Sequence, residues 1–376
     1  MVVSESNVTL VFGASGISGW AVTKNLLSYP TSTTFSRVIA LTHRPRTVQG
    51  TGLPEDPRLE LYSGIYLRSN LQGVEQQMQS KIPNLDEITH VYYLAYANAT
   101  AYMENVMEIR NINVGMTLNA VHACDQLCRQ MKFFLLQTGT NNYGVAVFRY
   151  MDKIEISPPL REDQPRIPSP WGDEIFYYPQ VNLIKEAAKG KQWPARIRLS
   201  VRHVPAVTSM TYVEPLALYL SLYRYINGPG ATVPFPGTKK NFVYTYTDSS
   251  QDIITRAEIY LSVMQPEAAN GEAFSIADTA TPGPWSAKWP ILAENFGLKG
   301  TGPGEHGESG WGYRQVMCEE YGLKQRTIED ATWVFVKADA VGFTEELPVG
   351  QGHINTFDRI AVEKIIPPKS AWVPKQ

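Results

Sequence analysis

A glycine-rich turn between a strand-like run and a helix-like run constrains this chain more than any other feature. Asn7–Phe12 (NVTLVF) is typical of a buried strand, and residues 17–28 carry apolar side chains near helical spacing. The intervening G-A-S-G-I-S-G can bend sharply, and its backbone N–H groups can approach a pyrophosphate at the helix N-terminus. The sequence therefore predicts that a dinucleotide binds at Gly13, Ser15, Gly16, Ile17 and Gly19.

Strand-like and helix-like runs continue to alternate through the first half of the chain, which predicts an α/β fold. Together with the glycine turn, this alternation predicts a Rossmann-type doubly wound parallel sheet. The further predicted strands span residues 37–42, 59–62, 89–95, 132–138 and 196–201, and the further predicted helices span residues 101–130 and 178–189.

Beyond about residue 205 the alternation gives way to segments rich in proline and glycine, among which helices are predicted at 215–225 and 252–264. Such loop-rich composition is typical of a smaller domain that shapes a substrate pocket. We therefore expect residues 1–204 to form a nucleotide-binding Rossmann domain that carries the catalytic motifs. Residues 205–376 are expected to form mainly a substrate-binding region, with an open alternative in which it interleaves with the sheet edge.

The composition argues against several classes of partner. The chain of 376 residues has a net charge of −2, whereas nucleic-acid binding needs a concentrated basic surface. No apolar run approaches the roughly 20 residues of a membrane-spanning helix. The three cysteines and six histidines show no zinc-site spacing, so no metal is expected. The opening residues run directly into a strand, and a cytoplasmic location is expected.

The residues after the second strand distinguish NAD from NADP. Sheets that bind NAD place an acidic residue there for the ribose hydroxyls. This chain instead has T-H-R-P-R at residues 42–46, with no carboxylate. A guanidinium at this point matches a 2′-phosphate in charge and geometry. We therefore predict NADP(H) as the cofactor, bound in this segment by His43 and Arg44.

Five motifs follow one another in a specific order: GASGISG, THRPR, HVYYLAYAN, LLQTGTNNYG and EIFYYPQ. In this order they resemble the progesterone 5β-reductase/iridoid synthase-like (PRISE) branch of the extended short-chain dehydrogenases. The resemblance covers most of the chain and is weaker in the C-terminal half, at GEAFSIAD, WPILAENFGL and EEYGL. It implies hydride transfer from NADPH to the β-carbon of an enone or a related enal.

The resemblance also implies roles for single residues. The second tyrosine of the family's FYY motif is the catalytic one, and it matches Tyr178. Asn141 stands where the family carries a catalytic lysine and is assigned to the catalytic pair with Tyr178. The cofactor residues implied beyond the glycine turn and the basic segment are Ala95, Thr138 and Gly139. The substrate-binding residues are Tyr96, Asn98, Tyr143 and Phe148.

Several departures from the family pattern lie near the nicotinamide end. Asn141 replaces the lysine, and no lysine follows Tyr178 four residues later. The acidic residue expected after the third strand is missing from LYSGIYLR, and the family's Arg-Pro-Gly appears as Arg-Leu-Ser at 198–200. Lys153 and Lys185 are the nearest lysines in sequence that could substitute.

The missing lysine has an energetic consequence. A cation about 4 Å from a phenol interacts by roughly 4 kcal/mol at an effective dielectric constant of about 20, or up to about three pKa units. Without it Tyr178 is expected to stay a neutral phenol, which is a poor base but a good hydrogen-bond donor to an enolate oxygen. Redox chemistry at this site should therefore run as reduction.

Three functions remain open from the sequence. The leading hypothesis is an NADPH-dependent reductase of an activated alkene or carbonyl in a hydrophobic small molecule. The second is an isomerase or cyclase that has kept the fold and lost hydride transfer, and the third is a binding protein that senses the cofactor. A homodimer is an open alternative to a monomer.

Overall fold

The computed structural model describes residues 7–97, 105–150, 152–156, 160–191, 195–201, 213–304, 340–362 and 366–371. In chain order its strands are β1 (Asn7–Phe12), β2 (Phe35–Thr42), β3 (Leu59–Ser63), β4 (His90–Tyr93), β5 (Phe133–Gly139), β6 (Ala195–Val201), β7 (Thr232–Pro234), β8 (Thr245–Tyr246), β9 (Phe274–Ile276), β10 (Gly283–Pro284) and β11 (Lys299–Thr301).

The α-helices in the same residues are α1 (Ile17–Leu26), α2 (Val48–Thr51), α3 (Leu71–Lys81), α4 (Val106–Leu127), α5 (Tyr177–Ala187), α6 (Val213–Asn227), α7 (Lys239–Val243), α8 (Gln251–Val263), α9 (Trp285–Asn295) and α10 (Gln351–Val362). Within the described ranges, no helix combines the length and apolar character that a membrane span requires.

A parallel sheet of seven strands forms the centre of the fold, in the order β3, β2, β1, β4, β5, β6 and β9. This arrangement confirms the predicted α/β Rossmann-type sheet. Strand β1 lies between β2 and β4, so Val11 pairs with Ala40 on one side and with Tyr92 on the other. The strand order reverses at β1, and in open α/β sheets ligands bind at the carboxyl ends of the strands beside such a reversal.

Two predicted boundaries beside this crevice are wrong. The strand predicted for 89–95 ends at Tyr93, and the helix predicted from residue 101 begins at Val106. Beyond the end of the strand, both backbone groups of Ala97 are bonded to the side chain of Asn113 on α4. The residues after β4 therefore form a turn at the carboxyl edge of the sheet.

Residues from the C-terminal part of the chain complete the sheet and one of its faces. Strand β9 pairs in parallel with β6, and α8 packs against α1, with the Nδ2 group of Asn25 donating to Thr255 at 2.6 Å. A separate apolar cluster joins α6, α9 and α10 around the fully buried Trp289 and Phe357. The C-terminal residues thus contribute both to the sheet and to a second core.

A buried charged cluster lies beyond the carboxyl end of β9. Lys288, 3% exposed, forms an ion pair with Asp248, and its Nζ lies 3.5 Å from the ring centroid of Tyr246. Burial raises the pKa of Asp278 to about 6, and burial lowers the pKa of His353 to about 4. In the described ranges, no group of three or more potential metal ligands is arranged to hold an ion.

Candidate functional site

The glycine turn after β1 needs glycine for two different reasons. Gly13 has φ of +85°, and a Cβ there would lie 2.8 Å from the backbone of Leu94 and Ala95. A Cβ on Gly19 would lie 2.1 Å from the Gly13 oxygen. Side chains at Gly13 or Gly19 would therefore push the turn away from the end of β4 or away from α1. Gly16 is less constrained, because its Cβ would lie 3.3 Å from the Gly13 oxygen.

The residues that lead into α1 are exposed to solvent. Ser15 and Gly16 are exposed, Gly16 is the N-cap residue of α1, and no acidic side chain lies in the first turn. Ile17, in contrast, is buried and packs into the core. Unpaired N–H groups and the helix dipole favour an anion at such an end. The exposed backbone and the close glycine packing therefore fit the pyrophosphate of a dinucleotide.

The basic segment after β2 lies at the same edge of the sheet. His43 and Arg44 are exposed, and the Thr42 hydroxyl donates to the Arg44 main-chain oxygen at 2.8 Å, which holds the segment against the strand end. The His43 ring meets the Tyr66 ring edge to face, with 5.7 Å between centroids. The His43 and Tyr66 rings and Arg44 are all exposed to solvent.

The turn after β4 carries the residues predicted to lie beside the nicotinamide. Ala95 is half-buried, and Tyr96 is 41% exposed and stacks on Phe176 with 5.7 Å between ring centroids. Asn98 lies outside the described residues. The turn is fixed by Asn113, whose Oδ1 accepts from Ala97 N at 2.9 Å and whose Nδ2 donates to Ala97 O at 3.1 Å.

The end of β5 carries the next group of predicted residues. Thr138 and Gly139 are buried at the carboxyl end of the strand, and Asn141 is half-buried on the turn Thr140–Tyr143. The Tyr143 hydroxyl is buried and shares a 2.9 Å hydrogen bond with Ser275 of β9. Phe148 belongs to the segment Val145–Tyr150, but its side chain lies outside the described structure.

Tyr178, the predicted catalytic residue, is the second residue of α5 and is 7% exposed. Its hydroxyl donates to the main-chain oxygen of Asn142 at 2.9 Å and accepts from the main-chain N–H of Ile167 at 3.0 Å. The structure therefore brings Tyr178 to the turn that follows β5. It also gives the phenol two backbone partners from different segments.

A cation lies beside Tyr178, although no lysine supplies it. The Arg166 guanidinium stacks on the Tyr178 ring at 4.9 Å and donates to the side chain of Asn182 at 2.9 Å. Asn182 occupies the position four residues after Tyr178. Lys153 and Lys185, the lysines considered from sequence, are both exposed.

Sequence reasoning missed two buried amide side chains, Asn113 and Gln180, which connect the turn after β4 to helix α5. Gln180, two residues after Tyr178, donates from Nε2 to the Asn113 main-chain oxygen at 3.1 Å and to Thr117 at 2.6 Å. Asn113 and Gln180 are both at most 2% exposed. The available signal was a polar side chain within the otherwise apolar, inward face of each helix, because buried amides need partners of fixed geometry.

Comparisons with known proteins agree with the Rossmann fold. The model of the PRISE-like Rossmann-fold domain family matches residues 9–328. The short chain dehydrogenase ausT of Aspergillus calidoustus is 50% identical, over 98% of this chain and 96% of the relative. The 3-oxo-Δ(4,5)-steroid 5β-reductase of Arabidopsis thaliana is 26% identical, over 97% and 94%.

A solved structure shares the fold at low identity. The UDP-glucuronic acid 4-epimerase from Bacillus cereus, in complex with NAD, has a TM-score of 0.58 and 16% identity. The alignment covers 94% of this chain and 96% of that one. This likeness extends the agreement in fold through almost the whole chain.

Proposed function

Because the chain belongs to the PRISE-like Rossmann-fold family of short-chain dehydrogenases, we propose that it is an NADPH-dependent reductase. Its substrate is a hydrophobic small molecule with an activated alkene, an enone or enal, or a carbonyl. The observation that carries this proposal is the buried Tyr178 phenol, held 2.9 Å from Asn142 on the turn after β5. The name of the Arabidopsis relative, a steroid 5β-reductase, supports the same substrate class.

The chain offers a contact for each end of the cofactor. The Ser15 backbone N–H and the N-terminal end of α1 would hold the pyrophosphate, and Arg44 would pair with the 2′-phosphate that distinguishes NADPH from NADH. Thr138 and the turn at Ala95 would lie along the nicotinamide half. When bound, NADPH supplies the hydride that adds to the β-carbon of the substrate.

Tyr178 would act on the substrate oxygen. As the β-carbon gains the hydride, the alkene electrons move toward the carbonyl oxygen, and the resulting enolate takes a proton from water at its α-carbon. A phenol hydrogen bond to that oxygen stabilises the charge that develops there. The phenol has one proton, so the substrate oxygen must displace the Asn142 main-chain oxygen as its acceptor.

Two groups near Tyr178 strengthen its role as a donor. The Ile167 N–H donates to the phenol oxygen, and the positive charge of Arg166 lies on the ring. Both stabilise negative charge on the phenol oxygen and so make the phenol a stronger hydrogen-bond donor. We propose that the Ile167 N–H and the Arg166 guanidinium partly replace the positive charge of the family's lysine, whose position Asn141 occupies.

The test combines binding with turnover. Purified protein is titrated with NADPH and NADH, and NADPH consumption is followed with enones and enals from 2-cyclohexen-1-one to a steroid-sized enone. We expect tighter binding of NADPH and a product two hydrogens heavier than the substrate. Arg44→Gln should weaken NADPH by about tenfold, the size of a charge-assisted hydrogen bond, and leave NADH unchanged. Failure to bind either nucleotide would overturn the proposal.

An isomerase or cyclase remains the second candidate, and one observation favours it. Asn141 stands where the family carries the lysine, and Lys153 and Lys185 are both exposed to solvent. Under this alternative, product forms without added NADPH and its mass equals that of the substrate. The mass of the product therefore separates the two candidates in one experiment.

A further inference from the structure

The side chain of Asn142 is buried without a hydrogen bond. The residue is 4% exposed, and neither its Oδ1 nor its Nδ2 has a partner among the residues that the structure describes. Nearly all buried polar side chains in folded proteins are paired, and an unpaired one lowers stability. Exchanging the oxygen and nitrogen of the carboxamide would not help, because both positions lack partners.

The surroundings of Asn142 are well ordered by hydrogen bonds, so loose packing does not explain the unpaired group. Its own main-chain oxygen accepts the Tyr178 phenol at 2.9 Å. Its neighbour Tyr143 is anchored to Ser275 at 2.9 Å. The turn Thr140–Tyr143 that carries Asn142 directly follows β5, at the carboxyl edge of the sheet, where ligands of this fold gather.

We propose that Asn142 is a ligand-binding residue and that its Nδ2 group donates a hydrogen bond to a carbonyl oxygen of the bound ligand. This inference rests on the proposed function. Two carbonyl oxygens come to this part of a reductase: that of the nicotinamide carboxamide and that of the substrate. A neutral carboxamide suits either, since it offers two donors and one acceptor and adds no charge to the pocket.

The proposal explains why a stability cost persists at this position. Functional sites retain polar groups that are unsatisfied until the ligand arrives, at the expense of the ligand-free protein. When the substrate oxygen displaces the Asn142 main-chain oxygen from Tyr178, the turn is released from one contact. The carboxamide of the same residue then supplies a second donor beside the phenol.

The test uses Asn142→Leu, which removes both polar atoms and keeps the branched shape of the side chain, and Asn142→Ala, which avoids the larger methyl groups of leucine. For Asn142→Leu we expect a thermal midpoint equal to or above that of the ligand-free wild type. Ligand binding or turnover should fall by about tenfold in both variants, as for loss of one hydrogen bond to a ligand.

Thr9→Val is the matched control. Thr9 is fully buried in β1, its hydroxyl has no partner among the described residues, and it pairs with His90 at the amino end of the strands, away from the site. We expect Thr9→Val to raise or preserve the midpoint as Asn142→Leu does. Its NADPH affinity and turnover should match those of the wild type.

Two measurements distinguish the source of the carbonyl oxygen. A weaker dissociation constant for NADPH alone assigns Asn142 to the nicotinamide carboxamide. An unchanged constant with a lower kcat/KM for 2-cyclohexen-1-one at saturating NADPH assigns it to the substrate. Either result supports the proposal.

The contrary results are also distinct. Wild-type binding and turnover in both Asn142 variants would overturn the proposal and leave the proposed function intact. A lower thermal midpoint in both would also overturn it, because the carboxamide would then already be stabilising the ligand-free protein. If the wild type binds no NADPH, the proposed function fails and this inference fails with it.

Discussion

The hydroxyl of Tyr178 donates to the main-chain oxygen of Asn142 at 2.9 Å, so the proposed catalytic phenol also fixes the turn after β5. The phenol oxygen of Tyr178 also accepts from the Ile167 main-chain N–H at 3.0 Å and thereby holds a second segment. The role of the Tyr178 hydroxyl cannot be tested by activity alone, because removing it changes the stability of the neighbouring loops as well as the chemistry.

Tyr178→Phe should therefore reduce both stability and turnover. Its removal leaves the Ile167 N–H and the Asn142 oxygen without their buried partner, at a cost of about 1–3 kcal/mol in the free energy of unfolding. Turnover should fall by about a hundredfold or more, while the dissociation constant for NADPH stays close to the wild-type value. Urea unfolding and steady-state kinetics measure the two effects.

Tyr92→Phe is the control for this prediction. The Tyr92 hydroxyl is buried and shares a 2.6 Å hydrogen bond with Ser262 of α8, on a face of the sheet remote from the turn after β5. It should lose comparable stability and keep its turnover. Equal losses of turnover in both variants would contradict a specific role for Tyr178.

Arg166→Gln should lower turnover by less than tenfold. The guanidinium is exposed, so its interaction with the Tyr178 ring is weakened by water and is of the order of 0.5–1 kcal/mol. The comparison variant is Arg161→Gln, because Arg161 lies on the same segment and pairs with the exposed Asp163. We expect wild-type turnover in that variant, and a drop equal to that of Arg166→Gln would count against the role of the charge.

Gly19→Ala should disrupt the glycine turn. Its Cβ would lie 2.1 Å from the Gly13 oxygen, and the backbone would have to move to relieve this contact. The free energy of unfolding should therefore fall by roughly 1–3 kcal/mol, and NADPH affinity should be lost. Gly115→Ala on α4, where a Cβ meets nothing within 4 Å, should instead stabilise the protein by about 0.5–1 kcal/mol. Thermal unfolding with and without NADPH compares them, and a tolerated Gly19→Ala would contradict the close packing.

His353 and Asp278, both buried, should make opposite contributions to the change in unfolding free energy at acidic pH. The pKa of His353 is lowered to about 4, so the unfolded chain binds its proton first and stability falls as the pH drops from 6.5 toward 4. The pKa of Asp278 is raised to about 6, so the folded protein binds its proton first and stability rises as the pH drops from 6 toward 4. Between pH 7 and pH 5 the His353 effect on the free energy of unfolding amounts to about 2 kcal/mol, and the opposite Asp278 effect amounts to about 1 kcal/mol.

Two variants separate these contributions by the change in unfolding free energy between pH 7 and pH 5. His353→Gln should make the protein relatively more stable at pH 5, because only the Asp278 effect remains. Asp278→Asn should make the loss at pH 5 steeper than in the wild type. Urea unfolding at both pH values provides the measurement, and parallel pH profiles for the two variants would contradict the assignment.

Much of the fold follows from local pattern. Residues 7–19 specify a strand, a glycine turn and a helix, because strand propensity, the conformational freedom of glycine and helical spacing all agree there. The short strand β9 (FSI) and the early end of β4 were not predicted. Three residues are too few for a periodic signal, and the turn after β4 is held by the side chain of Asn113 on α4, a contact that strand propensity does not reveal.

The sequence by itself determined the Rossmann turn at Gly13, the basic segment at Arg44 and the position of Tyr178 at the start of a helix, since each depends on neighbouring residues. Only the tertiary structure decided what Tyr178 touches, that Arg166 lies on its ring and that the Asn142 side chain is buried with no partner among the described residues. Those relations join residues from separate segments of the chain. Burial and hydrogen bonding between such segments depend on how the whole sheet and its loops pack, and spacing along the sequence does not encode them.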